Sequence, residues 1–206
     1  MIVIKPKVEI FTELNGVDIL KHIERCGRVC YKSEGKITEN SYGPFVKSII
    51  DRGHEAVLEH FSITVKFTCD RGVSHEIVRH RLASYCQEST RYCNYGKDDF
   101  GSQITVIEPL YLERGSESYT AWEKACCYAE MHYFNMLNFG HTAQEARAVL
   151  PNSLKTEIVM TANLREWRHF LKLRCATSAH PQMREVANIL KEKFKESIPI
   201  IFDDIQ

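Results

Sequence analysis

The chain has 206 residues, and its 27 Lys and Arg balance 27 Asp and Glu, so the formal net charge at pH 7 is zero. That balance argues against a protein that coats nucleic acid or an anionic membrane by bulk charge. Hydrophobic residues make up 44% of the chain and charged residues 26%, which is typical of globular domains and excludes a disordered chain. We therefore expect a single domain over 1–206, located in the cytoplasm, without a membrane helix or a secretory leader.

The first third of the sequence predicts two strands and two helices. Residues 2–11 alternate between apolar and polar types, as a strand does, and residues 61–69 alternate in the same way. Residues 44–52 predict a helix with a proline near its first turn and Gly53 just past its end. An earlier helix is predicted from an apolar face that consists of Ile19, Leu20, Ile23, Cys26 and Cys30.

The middle of the chain predicts two helices with a loop and a strand between them. Residues 73–81 are expected to be helical, residues 82–101 to form a long loop, and residues 104–107 to form a short strand. The longest predicted helix covers 117–138, where apolar side chains recur every three or four positions. The basic residues at 79–81 would then stand at the end of a helix.

Two capping signatures mark helix starts in the last third of the chain. Thr142 with Glu145 forms a capping box, and Asn163 with Glu166 resembles a second one. Residues 154–162 could be a strand or a helix, because their β-branched residues compete with an unclear period.

A final helix is predicted over 181–196. The strands are too few and too irregularly spaced for a doubly wound parallel sheet, so we expect an α+β fold with a mixed or antiparallel sheet flanked by long helices. The eight cysteines include no Cys-x-x-Cys pair. We therefore expect reduced, mostly buried thiols and no metal site.

Neither common nucleotide-binding loop occurs in the sequence, since it lacks both G-x-x-x-x-G-K-[ST] and G-x-G-x-x-G. Phosphate binding would then depend on side chains, chiefly Arg. Residues 79–92, with the sequence RHRLASYCQESTRY, collect such groups among tyrosines, which suits a planar ligand. The alternative is a solvated basic helix end that leads into a polar surface loop.

The same segment carries a resemblance to a known family. Arg79-His80-Arg81, followed by seven residues and Ser89, resembles the R-H-R-x7-S signature of the flavin-dependent thymidylate synthases. The resemblance continues in the family's order over about residues 15–195. Its further blocks are Gly53-His54 with Glu59-His60, Ala146-Arg147 with Leu150-Pro151, Asn163-x-Arg165 with 170–174, and Ala179-His180-x-Gln182.

The resemblance implies an enzyme that converts dUMP to dTMP. The methylene group would come from methylenetetrahydrofolate, and the electrons from NADPH through bound FAD. It also implies a homotetramer whose active sites draw on several subunits, with no nucleic acid, membrane or metal as a partner.

The resemblance assigns two overlapping sets of site residues. Arg174 would be catalytic, as a fixed cation that stabilises charge on N3–C4 of the uracil while C5 becomes nucleophilic. The flavin-binding positions would be His54, Ala56, Arg79, His80, Arg81, Gln87, Asn163, Leu164, Arg165 and His169. The nucleotide-binding positions would be Glu76, Arg79, Gln87, Glu88, Ser89, Thr90, Arg91, Arg147 and Arg174, with Arg91 and Arg147 at the phosphate.

Four positions depart from the family pattern. Relatives commonly have Asn-Glu at Cys86-Gln87 and Gln at Glu76, and His169 is often Asn. Several residues of these segments could instead have a purely structural role. His54 could help to end a helix, Arg147 could be a surface residue, and Arg165 and Arg168 could lie on the solvated face of a helix.

Two other function classes compete with the synthase. A nucleotide- or RNA-binding module could use the loop at 79–92 without catalysis, although the sequence lacks RNP-type and GXXG patterns. A zinc-dependent hydrolase or deaminase would need H-x-E with P-C-x-x-C, which does not occur. A yellow purified protein would favour the synthase over both.

Overall fold

The computed structural model describes residues 1–96 and 101–205. Its strands are β1 (Ile2–Ile4), β2 (Lys7–Ile10), β3 (Ser62–Asp70), β4 (Ala83–Gln87), β5 (Thr105–Ile107) and β6 (Lys155–Asn163). Its α-helices are α1 (Gly16–Val29), α2 (Tyr42–Asp51), α3 (Arg71–Ile77), α4 (Glu117–Asn138), α5 (Ala143–Ala146), α6 (Leu164–Arg174), α7 (Pro181–Ser197) and α8 (Pro199–Phe202). Short 3-10 helices cover Glu34–Lys36, Glu55–His60 and Arg147–Val149. Within the described ranges, no helix is long and apolar enough to cross a membrane.

The described strands form two sheets. Strand β1 pairs in parallel with β5, and the other four strands lie in the order β2-β3-β6-β4. The chain divides into two compact units, unit 1 with residues 1–7, 67–79 and 86–159, and unit 2 with residues 8–66, 80–85 and 160–206. The mixture of strands and helices confirms the predicted α+β class, whereas a single domain over 1–206 stays a prediction.

Two predicted segments near the basic cluster are wrong in extent. The helix predicted over 73–81 ends at Ile77, and the chain then leads to His80, whose side chain bonds α6 instead of continuing the helix. The loop predicted over 82–101 contains strand β4, while residues 97–100 lie outside the described part of the chain. The polar sequence of β4 hides its strand character, although its burial alternates along the strand.

The strand predicted over 2–11 is also wrong in extent. It divides at Lys5-Pro6 into β1 and β2, which belong to different sheets. A proline has no N–H for a sheet ladder, which favours a break at this point. The structure confirms the predicted strands at 61–69 and 104–107 to within a few residues. It also confirms the predicted helices at 44–52, 117–138 and 181–196 to within a few residues.

The open choice at 154–162 is settled in favour of a strand, because β6 alternates strictly between half-buried and buried residues. Both capping residues, Thr142 and Asn163, are followed by helices, α5 and α6. The cysteines are free, but only Cys69 and Cys126 are buried, so the prediction of mostly buried thiols is wrong. Cys30 is exposed at the end of α1 and lies off the predicted apolar face.

The core of unit 2 includes a cluster of aromatic side chains from the last three helices. Trp167 meets Phe170 and Phe194 edge-on, with ring centroids 5.5 and 5.6 Å apart. Phe194 stacks on Phe202 at 4.7 Å. The indole N–H of Trp167 donates to the Ile63 carbonyl at 3.0 Å, which satisfies the one polar atom of that ring. Helix α6 is therefore fixed on its buried side.

The core of unit 1 packs against α4. Its buried cluster consists of Tyr95, Ile104, Val106, Cys126, Tyr133, Ala146 and Leu154.

Candidate active site

Helix α6 presents several of the predicted site residues. Its N-cap is Asn163, whose side-chain oxygen accepts a hydrogen bond from the backbone N–H of Glu166 at 2.8 Å. Glu166, Phe170 and Arg174 follow one another at intervals of four residues, so they share one face of the helix. That face meets His80, which comes from the chain after α3.

Glu166, His80 and Arg174 form a hydrogen-bonded triad. His80 is only 4% exposed, its Nδ1 lies 3.0 Å from Glu166 Oε1, and its Nε2 lies 3.0 Å from Arg174 Nε. A guanidinium nitrogen can only donate, so Nε2 accepts and the ring proton is on Nδ1, which donates to Glu166. The triad therefore requires His80 in one neutral tautomer.

The electrostatics of the triad agree with a neutral imidazole. Burial, together with the positive charge of Arg174 and the proximity of His169, lowers the pKa of His80 from 6.5 to about 4. Burial raises the pKa of the Glu166 carboxyl, and His169 acts in the opposite direction. The ring of His80 also lies 4.8 Å from that of Phe170, measured between centroids.

His80, Glu166 and His169 also have a spacing that a metal ion would require, since their ligand atoms lie within 4.8 Å of one another. A metal on Nδ1 of His80 would displace Glu166 from that atom. It would also place the ring proton on Nε2, opposite the N–H of Arg174. The donor pattern thus favours hydrogen bonding over metal binding, and the predicted lack of a metal stays a prediction.

A polar cavity of about 520 Å³ opens beside the start of α6. Arg165 there donates to Glu59 at 2.6 Å, with both side chains about half exposed, and Arg81 donates to the His80 carbonyl at 2.7 Å. The cavity is lined by Glu55, Glu59, Arg81, Leu82, Asn163, Arg165, Glu166, His169 and Lys172. Four of the predicted flavin-binding residues, Arg81, Asn163, Arg165 and His169, are therefore brought together, whereas the side chain of Leu164 is buried in the core.

The predicted flavin-binding residues His54 and Ala56 line a different and larger cavity, of about 1190 Å³, between α1 and α2. Its lining consists of Gly27, Arg28, Cys30, Tyr31, Ser33, Lys36, Ser41, Pro44, Phe45, Ser48, Ile49, Arg52, His54, Ala56 and Val57. Among these described residues there are three cations and no carboxylate, so the cavity suits an anionic ligand with an apolar part.

His54 also has the structural role that the sequence left open. Helix α2 ends with Gly53 at a φ of 70°, a left-handed conformation that favours glycine. The backbone N–H of Gly53 donates to the Ile50 carbonyl, and that of His54 donates to the Ile49 carbonyl. The backbone of His54 thus closes the helix, while its side chain is exposed.

Arg168 is buried, so its prediction as a solvated residue is wrong. It is 1% exposed and donates through Nε to Glu55 at 3.0 Å, through Nη1 and Nη2 to Asp204 at 2.6 and 2.7 Å, and to the Ile201 carbonyl. Burial opposes the charged form, but Asp204 and Glu55 outweigh it and raise the pKa of Arg168. Arg168 therefore ties α6 to the 3-10 helix at Glu55–His60 and to the C-terminal segment.

In unit 1, the predicted phosphate contacts lie beside uncharged groups. Nη1 of Arg147 donates to Thr90 Oγ1 at 3.2 Å, although the two residues are 57 positions apart. The guanidinium of Arg91 lies 5.4 Å from the centroid of the Tyr92 ring, and the backbone N–H of Arg91 donates to Ser89 Oγ at 3.3 Å. Arg91 and Arg147 are both exposed, so these two predicted cations are accessible to a ligand.

The remaining predicted nucleotide positions serve internal contacts to different extents. Gln87 donates through its amide to Ser74 at 2.9 Å and to Thr156 at 3.3 Å. Because the Ser74 hydroxyl already donates to the Arg71 carbonyl, it accepts from Gln87, whose amide supplies an N–H that a carboxylate lacks. Arg79 is exposed, and Glu76 is half-buried near the end of α3.

The carboxylate of Glu88 is engaged within the protein. It accepts from Lys155 Nζ at 2.9 Å, from the Tyr95 hydroxyl at 3.2 Å and from the backbone N–H of Glu157 at 3.2 Å. These bonds support a structural role for Glu88, and its nucleotide contact stays a prediction.

Residues 16–200 match the family model described as thymidylate synthase complementing protein. The chain belongs to the flavin-dependent thymidylate synthase family. It is 36% identical over 162 residues to a flavin-dependent thymidylate synthase from Pyrococcus furiosus, which covers 78% of this chain and 66% of the relative. It is 35% identical over 184 residues to the enzyme of that name from Geobacter sulfurreducens, which covers 86% of this chain and 78% of the relative. It is 32% identical over 213 residues to the enzyme of that name from Corynebacterium efficiens, which covers 95% of this chain and 82% of the relative. The resemblance inferred from the motifs is thereby confirmed.

The fold is similar to that of a solved structure, a UMP/dUMP methylase PolB from Streptomyces cacaoi bound with 5-Br dUMP. The TM-score is 0.78 at 23% identity, over 98% of this chain and 96% of the other. At that identity the similarity establishes the fold of the family.

Two residues of the site were not predicted as such. Glu166 was interpreted only as part of a helix start, and Arg168 only as a solvated residue. The spacing of Glu166 four residues before Phe170 and eight before Arg174 is the signal that could have placed Glu166 on the face of Arg174. No comparable signal marks Arg168, because its partner Asp204 lies in a segment without a predicted element.

Proposed function

We propose that the chain is an FAD-dependent thymidylate synthase that converts dUMP to dTMP. Methylenetetrahydrofolate would donate the one-carbon unit, and NADPH would be the reductant. The observation that carries this proposal is the position of Arg174, a half-buried guanidinium oriented by a buried, neutral His80. Family membership supplies the reaction, and the arrangement of Arg174 supplies a residue suited to its difficult step.

The difficult step is to make C5 of the uracil nucleophilic, which moves negative charge toward N3 and the C4 oxygen. A preorganised cation stabilises such charge without rearranging during the reaction. Arg174 suits this role because His80 is uncharged and so orients the guanidinium without cancelling its charge. We assign Arg174 as the catalytic residue on this basis.

The polar cavity and the start of α6 fit an anionic part of FAD. Arg81, Arg165, Lys172 and the positive end of the dipole of an eleven-residue helix all favour a pyrophosphate there. The ion pair of Glu59 with Arg165 has both side chains about half exposed, so an anion could replace it at small cost. Lys172 is also about half exposed and lies 3.6 Å from Glu55, which Arg168 holds from the buried side. When bound there, the flavin would carry hydride from NADPH to the one-carbon unit.

The exposed arginines of unit 1 suit the phosphate of dUMP. Arg147 and Arg91 contact a hydroxyl and an aromatic ring, so their charges are available to a phosphate. Ser89 and Thr90 add hydroxyl groups at the same place. We propose that these four residues hold the phosphate, with Gln87 and Glu76 toward the base.

We further propose a homotetramer with shared active sites and a cytoplasmic location. In such an assembly, the residues of the two units at one active site need not belong to the same copy of the chain.

The direct test is to purify the protein, identify the released cofactor, and measure dTMP formation from dUMP with methylenetetrahydrofolate and NADPH. Light scattering during size-exclusion chromatography gives the oligomeric state. We expect a yellow tetramer, turnover that depends on all three reactants, and early loss of flavin in Arg81→Ala. A colourless protein that binds nucleotide or RNA without turnover would favour the binding module, and a stable monomer that retains flavin would contradict the shared sites.

A further inference from the structure

We propose that His80 and Glu166 are positioning residues for Arg174, so that the middle residue of the R-H-R signature orients the catalytic guanidinium. The resemblance instead placed His80 with its two neighbours among the flavin contacts. This inference rests on the proposed function, because it concerns how Arg174 is held for the reaction.

The side chain of His80 has no polar atom left for a cofactor. An imidazole offers two nitrogens, and here Nδ1 bonds Glu166 while Nε2 bonds Arg174, each at 3.0 Å. The ring is 4% exposed and lies against Phe170. Its neighbours Arg79 and Arg81 are exposed, so the signature combines two accessible cations with one internal imidazole.

A hydrogen bond at Nε is well placed to orient an arginine. The guanidinium is planar, and a bond at Nε restricts rotation about the torsions that carry the two terminal nitrogens. Because Nε2 of His80 can accept only when it carries no proton, the state of the imidazole decides whether Arg174 is held. An imidazole protonated on Nε2 would direct an N–H at the guanidinium and release it.

Glu166 keeps the imidazole in the accepting state. Its carboxylate accepts a hydrogen bond from the N–H at Nδ1, so that Nε2 faces Arg174 as an acceptor. Glu166 and Arg174 lie on the same face of one helix, whose other side is fixed in the core by Trp167. The three side chains therefore have a defined geometry without help from a ligand.

A merely structural role for His80 is the main alternative, since the ring also packs on Phe170. Two substitutions separate the alternatives, because an asparagine places its polar atoms near Nδ1 and a glutamine places them near Nε2. His80→Asn can still donate to Glu166 but does not reach Arg174, whereas His80→Gln can still accept from Arg174. Both remove the ring, so a packing role affects both variants alike.

The same logic applies to Glu166. Glu166→Ala removes the acceptor for Nδ1, whereas Glu166→Gln keeps an oxygen that can accept from it. For His80→Asn and Glu166→Ala we expect kcat to fall by about 10- to 100-fold, with little change in KM for dUMP, as expected when a reacting group is misplaced. The kcat of His80→Gln should fall less than that of His80→Asn, and the kcat of Glu166→Gln should fall less than that of Glu166→Ala.

A second measurement reports on Arg174 without turnover. 5-Br dUMP changes its ultraviolet spectrum when N3 loses its proton, and a well-placed cation favours the ionised form. The ionisation of 5-Br dUMP bound to the flavin-loaded protein is therefore titrated by difference spectroscopy in each variant. We expect the bound ligand to ionise at higher pH in His80→Asn and Glu166→Ala than in the wild type, and near the wild-type pH in His80→Gln.

Thermal unfolding and flavin content confirm that each variant is folded. If Glu166→Ala does not fold, the His80 pair and Glu166→Gln still decide the question. The inference is overturned if His80→Asn and His80→Gln behave alike in both measurements, or if neither differs from the wild type while Arg174→Ala does. If Arg174→Ala itself keeps wild-type turnover and ionisation, the proposed role of Arg174 is wrong, which is a different result.

Discussion

In unit 1, Arg91 and Arg147 are exposed, and their guanidinium groups contact a tyrosine ring and a threonine hydroxyl. In unit 2, Arg165 and Arg168 form ion pairs with carboxylates, and Arg174 bonds a neutral imidazole. The same side chain thus occurs in three settings: exposed beside uncharged groups, beside carboxylates, and half-buried beside a buried, uncharged imidazole.

The difference teaches which arginines can act on a ligand. A buried guanidinium beside carboxylates, as at Arg168, has its charge compensated within the protein and serves the fold. One beside a hydroxyl or ring keeps its charge but has little to fix its direction. Arg174 is oriented by an uncharged imidazole, and an oriented guanidinium is what electrostatic catalysis requires.

The largest effect is expected from Arg174→Ala. Removing a preorganised charge that acts in the transition state typically lowers kcat by about 10²–10³-fold, or about 2.7–4 kcal/mol. Flavin content should be retained, because the substitution leaves the polar cavity intact. Single-turnover and steady-state measurements at saturating dUMP check this, and wild-type kcat in the variant would contradict the distinction between oriented and merely charged arginines.

The free energy of unfolding should fall in acid, because the neutral His80 of the triad becomes protonated. Its pKa is about 4 in the folded protein against an ordinary value of 6.5, so the unfolded chain binds more protons between these values. Stability from the neutral imidazole is therefore complete above pH 6.5 and is lost as the pH falls toward 4, by up to about 3 kcal/mol.

The comparison with His80→Gln isolates this effect, because burial raises the pKa of Glu166 and that shift acts on stability in the opposite sense. Urea unfolding at several pH values should show the stability advantage of the wild type over His80→Gln shrinking on acidification. A constant difference between pH 7 and pH 4 would be evidence against a buried neutral imidazole.

Arg168 and Arg165 form a matched pair on one helix. Arg168→Ala leaves Asp204 without its cation, Glu55 with Lys172 alone, and the Ile201 carbonyl without its donor, so the free energy of unfolding should fall by about 2–3 kcal/mol. Arg165→Ala removes only an exposed ion pair, which contributes about 0–1 kcal/mol. Equal losses in chemical denaturation would show that burial does not separate the two arginines.

Arg147→Ala tests the accessible cations of unit 1. The loss of one charged contact to a phosphate should raise KM for dUMP about tenfold, with kcat nearly unchanged. Arg25→Ala removes another exposed cation, one that lies outside both cavities and the phosphate cluster, and serves as the control. A fall in kcat without a change in KM would place Arg147 outside the phosphate site.

The smallest effect is expected at Cys86, which is exposed on β4. Relatives commonly have asparagine here, so the position does not demand sulfur, and Cys86→Asn and Cys86→Ser should keep most activity. Iodoacetamide should inhibit only through the bulk that it adds. Loss of turnover by orders of magnitude in both variants, with flavin and dUMP still bound, would show that this cysteine reacts.

The sequence was sufficient where local patterns determine structure. Three local signals each extend over a few residues: the alternation of apolar and polar residues around β3, the helical recurrence of apolar side chains in α4, and the cap at Asn163. The motifs identified the family. It was insufficient for β4, whose polar residues carry little periodic signal, and for the end of α3, which is decided by the contact of His80 with residues 86 and 94 positions away. Arg168 was misjudged for the same reason, since its burial depends on a distant C-terminal carboxylate.

Helix α6 has eleven residues and performs several tasks with them. Trp167 and Phe170 belong to the core, Glu166 and Arg174 to the triad, and Arg168 to the link with the C-terminus. In a genetic screen, this segment would accumulate inactive alleles for unrelated reasons, some unstable, some unable to bind cofactor and some only slow. An inactive allele in α6 is thus interpretable only when abundance and folding are scored alongside growth, and the exposed position Leu173 provides the internal measure of what the helix tolerates.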